Sequence, residues 1–247
     1  MPLSHLLVFS SIEFQGTHIL KPSSKAILVF AQSASRDAAD KKLSGGERIF
    51  EHLTRQTLEK AKRTGVPVFH FDETLQEGFR FEERLSNAVK TLFDQGVENL
   101  VVIGNDSPDL TTRALLEALS SLEDKKAVLG PSDDGGVYLI GLNRDHFEYG
   151  EFRDLPWRQE HLFHQMISWI HSKGFDNIMV LNFKMDLDTR KDFRNWSANA
   201  GAVYGKLIRL IAGLLYASPR ASFQQRLGFS HEFYPFIRFN KGSPALL

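Results

Sequence analysis

Carboxylates recur in this sequence just past short apolar runs. In NLVVIGNDSPDL, residues 99–110, four apolar residues lead into Gly104, and Asp106 and Asp109 then appear around Pro108. A carboxylate held past the end of a rigid strand suits a hard divalent cation. Magnesium takes oxygen ligands, commonly one or two carboxylates, and leaves other positions to water and phosphate. Turn chemistry competes with that reading, because aspartates near a proline start turns and Asp109 can help cap a helix entered at Thr111. It accounts for Asp109 more readily than for Asp106, which has no helix to cap.

Three further segments carry candidate groups. GPSDDGGVYLIGL, residues 130–142, places Asp133, Asp134, Gly135 and Gly136 between two apolar runs. Asp-Gly in that setting is a strong hairpin signal, yet such a turn also lets a substrate approach the backbone and find acceptors there. KMDLDTRKDF, residues 184–193, presents Asp186 and Asp188 after another apolar run. Asp188 or Thr189 can cap the helix that follows, which explains one carboxylate better than two. SRDAADKKLSGGE, residues 35–47, sets Arg36, Lys41 and Lys42 where a first strand-to-helix turn would meet phosphates. Ser44 and Glu47 have capping-box spacing, and the segment lacks the Walker pattern. Glu160, His161 and His164 lie on an expected helix at a spacing able to hold a metal, but without the H-E-x-x-H pattern, so solvated or core-edge histidines explain them as well.

The elements that must position these groups alternate regularly. Strands are expected at 26–31, 66–71, 99–104, 126–130, 136–142 and 177–183. Helices are expected from about residue 45, over 81–96, over 111–122 and over 159–173. In the second of these, Leu85, Ala88, Val89, Leu92 and Phe93 share one face and Gly96 supplies the stop. This order implies a three-layer αβα sandwich around a mainly parallel, Rossmann-like sheet. Ligands of such sheets bind beyond the carboxyl ends of the strands, where Asp106 falls. The HLLVFSS run at 5–11 resembles the first strand closely enough to be its neighbour. From about residue 201 the character changes to an apolar helix candidate and a phenylalanine-rich tail. Residues 1–200 therefore read as one domain, and 201–247 as an extension packed on it or at a homodimer interface.

Composition narrows the function. Lysine plus arginine equals aspartate plus glutamate at 30 each, so no excess charge points to nucleic acid. The absence of cysteine excludes disulfides, thiolate metal sites and a cysteine nucleophile. No run has the length of a transmembrane span, and the N-terminus lacks the features of a signal peptide, so a cytoplasmic protein is expected.

Taken together, VVIGNDSPDLTTRALLEAL, AVLGPSDDGGVYLIGL, LPW at 155–157 and DLDTRKDF resemble the bacterial glycosyltransferase-like family, the radical-SAM-associated transferase group, over about residues 25–195. That family is similar in fold to the nucleotide-diphospho-sugar transferases and to guanylyltransferases of cofactor synthesis. The resemblance implies a metal-dependent glycosyltransferase with a nucleotide-sugar donor. It makes Asp106 the metal-proximal carboxylate with Asp109 its companion, Asp188 a further ligand for magnesium or manganese, and Asp133 to Gly136 the substrate-facing turn. Asp134 would then orient or deprotonate an acceptor hydroxyl. The first motif departs from the family: Gln32 stands where a lysine is usual, no proline or glycine precedes Gly45, and DKKL replaces a Lys-Thr-Arg-Leu-like run. Nucleotidyl transfer to a phosphorylated acceptor, and a non-catalytic binding or assembly module, are the alternatives.

Overall fold

The computed structural model describes residues 25–216. The strand-like run at 5–11 and the aromatic tail from 217 lie outside them. Six strands, β1 (Lys25–Phe30), β2 (Val68–Phe71), β3 (Asn99–Ile103), β4 (Ala127–Pro131), β5 (Val137–Asn143) and β6 (Ile178–Val180), form one sheet in the order β2-β1-β3-β5-β4-β6. Neighbours are parallel except where β5 pairs antiparallel with both β3 and β4. The eight α-helices of the described residues are α1 (Ala34–Asp40), α2 (Glu47–Lys62), α3 (Phe81–Asp94), α4 (Thr112–Glu123), α5 (Tyr149–Arg153), α6 (Leu162–Ser172), α7 (Arg190–Asn199) and α8 (Gly205–Tyr216).

Alternation along the strands builds the layers. In β1, Ala26 and Leu28 face a core shared with α3, α5 and α6, whereas Ile27 and Val29 face a core shared with α2 and α4. Both faces are covered, as continuous apolar strands require. A third cluster joins α1, α2, α7 and α8: Phe50 and Leu53 meet Phe193, Trp196, Leu207, Ile211 and Leu214. The apolar face of α8 is therefore turned onto α2 and α7, and no helix of the described residues is long and apolar enough to cross a membrane.

Two local details depart from the sequence reading. Strand β6 covers only 178–180 of the expected 177–183: its ladder with β4 ends at the Leu129–Val180 pair, and Pro131 beyond it cannot donate. Beyond it the chain stays tied by single bonds, Lys184 N to Pro131 O at 3.2 Å and Asp133 N to Lys184 O at 3.1 Å. Helix α2 starts after Gly46 without a side-chain cap, so Ser44 and Glu47 form no capping box. Thr111 does cap α4, its hydroxyl accepting from Ala114 N at 3.1 Å.

Candidate active-site cleft

A cleft of about 1280 Å³ opens at the carboxyl ends of β1 and β3. Its acidic bank is built by two loops. Past β3 the chain runs Gly104-Asn105-Asp106, and a Cβ at Gly104 would lie 2.9 Å from Asp106 Oδ1. The glycine thus leaves room for the Asp106 carboxylate to turn back over the strand end. The loop after β6 is fastened to the same place by Leu187 N donating to Asp106 O at 3.0 Å. It brings Asp186 into a hydrogen bond from Ser107 Oγ. Thr189 caps α7 in a capping box with Asp192, which leaves Asp188 free to face the cleft.

Lys41, at the C-terminus of α1, closes this bank. Its ammonium donates to Asp106 Oδ2 at 3.0 Å and to Leu187 O at 3.2 Å, and it pairs with Asp188 Oδ1 at 2.6 Å. Burial opposes the ammonium, but the charges of Asp106 and Asp188, with the hydrogen bonds to both, outweigh it and hold Lys41 protonated beyond the usual lysine range. Burial, then the charge of Asp106, pushes the Asp186 carboxyl up to about 8 against the Ser107 hydrogen bond. Burial also raises Asp188. Lys41 opposes that shift without cancelling it, because Asp106 and Asp134 add to it. The bank is crowded with negative charge.

The β4–β5 hairpin forms the middle of the cleft. Asp134 Oδ1 accepts from Ser132 Oγ at 2.5 Å and Gly136 N at 2.9 Å, an Asx-type turn that commits one of its oxygens. Gly135 has φ +84, and a Cβ there would lie 1.8 Å from Glu160 O. Phe163 N donates to Gly135 O at 3.1 Å. Glycine at 135 is thus demanded by the docking of the segment entering α6, as well as by the turn.

The structure therefore brings Asp106, Asp133, Asp134, Gly135, Gly136, Asp186, Asp188 and Lys41 to one cleft. Three other predicted residues do not line it. Asp109 accepts from Trp196 Nε1 at 2.8 Å and ties the β3 loop to α7. Arg36 is exposed and pairs with Asp40 at 3.4 Å, and Lys42 is exposed in the turn after α1 with φ 54. Glu160 lines the cleft, whereas His161 and His164 do not. Sequence reasoning missed Asp37, which lies buried beside the acidic bank and accepts from Asn105 Nδ2 at 2.8 Å. Burial pushes its carboxyl up to about 6 despite that hydrogen bond and the nearby Lys41 charge. It also missed Gln76, Arg84 and Arg158, all cleft-lining. The i, i+3 spacing of Phe81 and Arg84 at the start of a helix was the available signal.

The donor chemistry of the acidic bank, carboxylate oxygen throughout, suits a hard divalent cation. With Lys41 bonded to two of these groups, no three acidic or histidine side chains among the described residues are disposed around one point. A cation would take the place of the Lys41 ammonium between Asp106 and Asp188.

The mixed α/β fold, with its six-stranded, mainly parallel sheet, is similar to that of a solved structure described as a nucleotide-diphospho-sugar transferase. A crystal structure from Desulfovibrio desulfuricans G20, described as a "putative nucleotide-diphospho-sugar transferase", superposes with a TM-score of 0.66 at 21% identity, covering 78% of this chain and 97% of that one. The model of a bacterial family described as an uncharacterized protein conserved in bacteria (DUF2064) matches residues 49–159. Two more distant structures fall below a TM-score of 0.5. One is a 4-diphosphocytidyl-2C-methyl-D-erythritol synthase from Anaerococcus prevotii DSM 20548, at TM-score 0.40 and 13% identity, covering 72% of this chain and 100% of that one. The other is a Mycobacterium tuberculosis H37Rv protein in complex with manganese, at TM-score 0.39 and 13% identity, covering 70% and 97%. No curated protein matches the chain.

Proposed function

We propose that the chain is a glycosyltransferase using a nucleotide-sugar donor, whose diphosphate lies across the carboxyl ends of β1 and β3. One observation carries this reading. Segments more than 140 residues apart, from Lys41 to Asp188, meet at the C-terminal rim of a mainly parallel sheet, in a cleft of about 1280 Å³. That exceeds the roughly 300–1,000 Å³ usual for small-molecule sites. The resemblance to the radical-SAM-associated glycosyltransferase-like group supports the same class of reaction.

The chain's own groups have distinct tasks in this scheme. Lys41 is the cation nearest the carboxylates and would pair with the diphosphate when its carboxylates are otherwise neutralised. Asp106 and Asp188 would hold magnesium or manganese, which would neutralise charge on the departing nucleoside diphosphate. Asp134 keeps its second carboxylate oxygen for an acceptor hydroxyl, since Oδ1 is committed to its own turn. Gly135 fixes that turn against the segment entering α6.

A thermal-unfolding scan of the full chain with nucleoside mono- and diphosphates and nucleotide sugars, with and without magnesium or manganese, tests the reading. Ligand at a hundredfold its Kd adds about 2.7 kcal/mol, so diphosphates should stabilise clearly and monophosphates less. The reading fails if no nucleotide stabilises the chain under any of these conditions. Pyrophosphate release from a triphosphate would move the assignment to nucleotidyl transfer.

A further inference from the structure

The cleft has a second bank of opposite character, on the sheet face that carries α3 and α5. Phe81, the first residue of α3, meets Phe30 edge-on at 5.8 Å and Trp157 at 5.9 Å. Arg158 lies over the Phe81 ring, its guanidinium carbon 4.8 Å from the centroid. Arg84 follows Phe81 by three residues, so it stands on the same side of the helix. No carboxylate pairs with either arginine among the described residues, so both guanidinium charges are available to an anion in the cleft.

Three features of this bank point to a ligand. The Arg84 Nε is buried and makes no hydrogen bond. Gln76 is 9% exposed, and its Nε2 donates to Phe71 O at 2.8 Å, which fixes the amide. Its Oε1 is left buried without a donor, in the lining of the cleft. Arg158 has φ +63, a backbone region that costs a residue with a Cβ about 1–2 kcal/mol. Such a cost persists where the surrounding structure over-determines the backbone. A buried N–H and a buried carbonyl oxygen, both unpaired, carry a desolvation cost that a complementary ligand would remove.

We propose that this bank binds the acceptor through an oxyanion, a phosphate or carboxylate held by Arg84 and Arg158, with a hydroxyl of the same molecule donating to Gln76 Oε1. Guanidinium groups suit such anions because they donate in a planar fork. The aromatic wall of Phe30, Phe81 and Trp157 fits the carbon skeleton between them. The cleft is then bipolar: the donor diphosphate belongs to the Lys41–Asp106–Asp188 bank, and the acceptor's negative charge to the arginine bank. The word acceptor rests on the transferase reading; the anion site itself does not.

The test is calorimetric or NMR titration of the full chain with three probes of one skeleton: glycerol 3-phosphate, glycerate and glycerol. Both anions, or one of them, should bind and glycerol should not; which anion binds identifies phosphate or carboxylate as the group recognised. Arg158→Gln and Arg84→Gln should each weaken the bound anion about tenfold, the loss of one charge-assisted hydrogen bond. Neither should change nucleoside diphosphate affinity by more than about threefold, since neither arginine shares a bonding partner with Lys41, Asp106 or Asp188. Where R84Q fails to fold, R158Q carries the test alone, because Arg158 is exposed and its substitution leaves the core intact. Equal binding of all three probes, or of none, overturns the proposal. So does a loss of diphosphate affinity in place of anion affinity, which would assign the arginines to the donor. Anion binding without any nucleotide binding would keep this site and remove the transferase reading.

Discussion

Replacing Gly135 by alanine separates two reasons for a glycine. The first is backbone: at φ +84 a Cβ costs about 1–2 kcal/mol. The second is packing, because the new Cβ would sit 1.8 Å from Glu160 O, a backbone atom that cannot rotate away. The segment entering α6 must then retreat, and the Phe163 N–H bond to Gly135 O goes with it, about 1 kcal/mol more. The expected total is about 3–5 kcal/mol, within the range of severe single substitutions. Gly174→Ala is the control for backbone alone, since φ is +79 there with nothing within 4 Å of the Cβ. It should cost only about 1–2 kcal/mol. Gly136→Ala meets side-chain oxygens of Asp134 and Ser132 at 3.0 Å, bonded within the turn but not backbone, and should cost less than Gly135→Ala. Urea unfolding of the three variants gives the comparison. If Gly135→Ala costs no more than Gly174→Ala, the hairpin is not docked on the Glu160 segment and the middle of the cleft is wrongly described.

Other expectations follow from the same contacts. Asp37→Asn should stabilise the chain progressively as pH rises. The folded carboxyl titrates near 6 and the unfolded one near 3.8, so its ionisation works against folding from about pH 4 upward and in full above about 6. Two units correspond to about 3 kcal/mol at most. Denaturation of the variant and the parent at pH 4 and pH 8 should converge at the lower value, and a gap independent of pH would contradict this. Lys41→Gln leaves Asp106 and Asp188 without their cation. Asp188 is 46% exposed, so the loss should be about 1–3 kcal/mol, below that of a fully buried pair; an unchanged urea midpoint would show that the pairs contribute nothing. Trp196→Phe removes the hydrogen bond to Asp109 and should cost about 1 kcal/mol without altering nucleotide affinity, because Asp109 does not line the cleft.

Much of this architecture is legible in the sequence, for physical reasons. Buried strands such as NLVVI leave continuous apolar runs, and α3 shows its buried face at helical spacing. The acidic bank was legible because strand ends in a parallel sheet converge on one rim. What spacing alone does not disclose is how each side chain spends its hydrogen-bonding capacity. Asp109 reads in the sequence as a turn or cap residue or as a companion of Asp106, yet a tryptophan 87 residues later claims it. Lys41 and Lys42 look interchangeable, yet the end of α1 turns one into the carboxylates and the other out to solvent. Arg158 carries no local signal at all, because its position depends on a left-handed residue and on an aromatic ring from α3.

The central claim is that Lys41, Asp106 and Asp188 form the seat of a nucleotide diphosphate. Titration calorimetry of nucleoside diphosphates into the full chain and into the Asp106→Asn, Asp188→Asn double variant, with magnesium or manganese present, addresses it most directly. The account requires measurable binding to the parent chain and a drop of at least tenfold in the double variant, about 1.4 kcal/mol. Equal affinity in both proteins would contradict it.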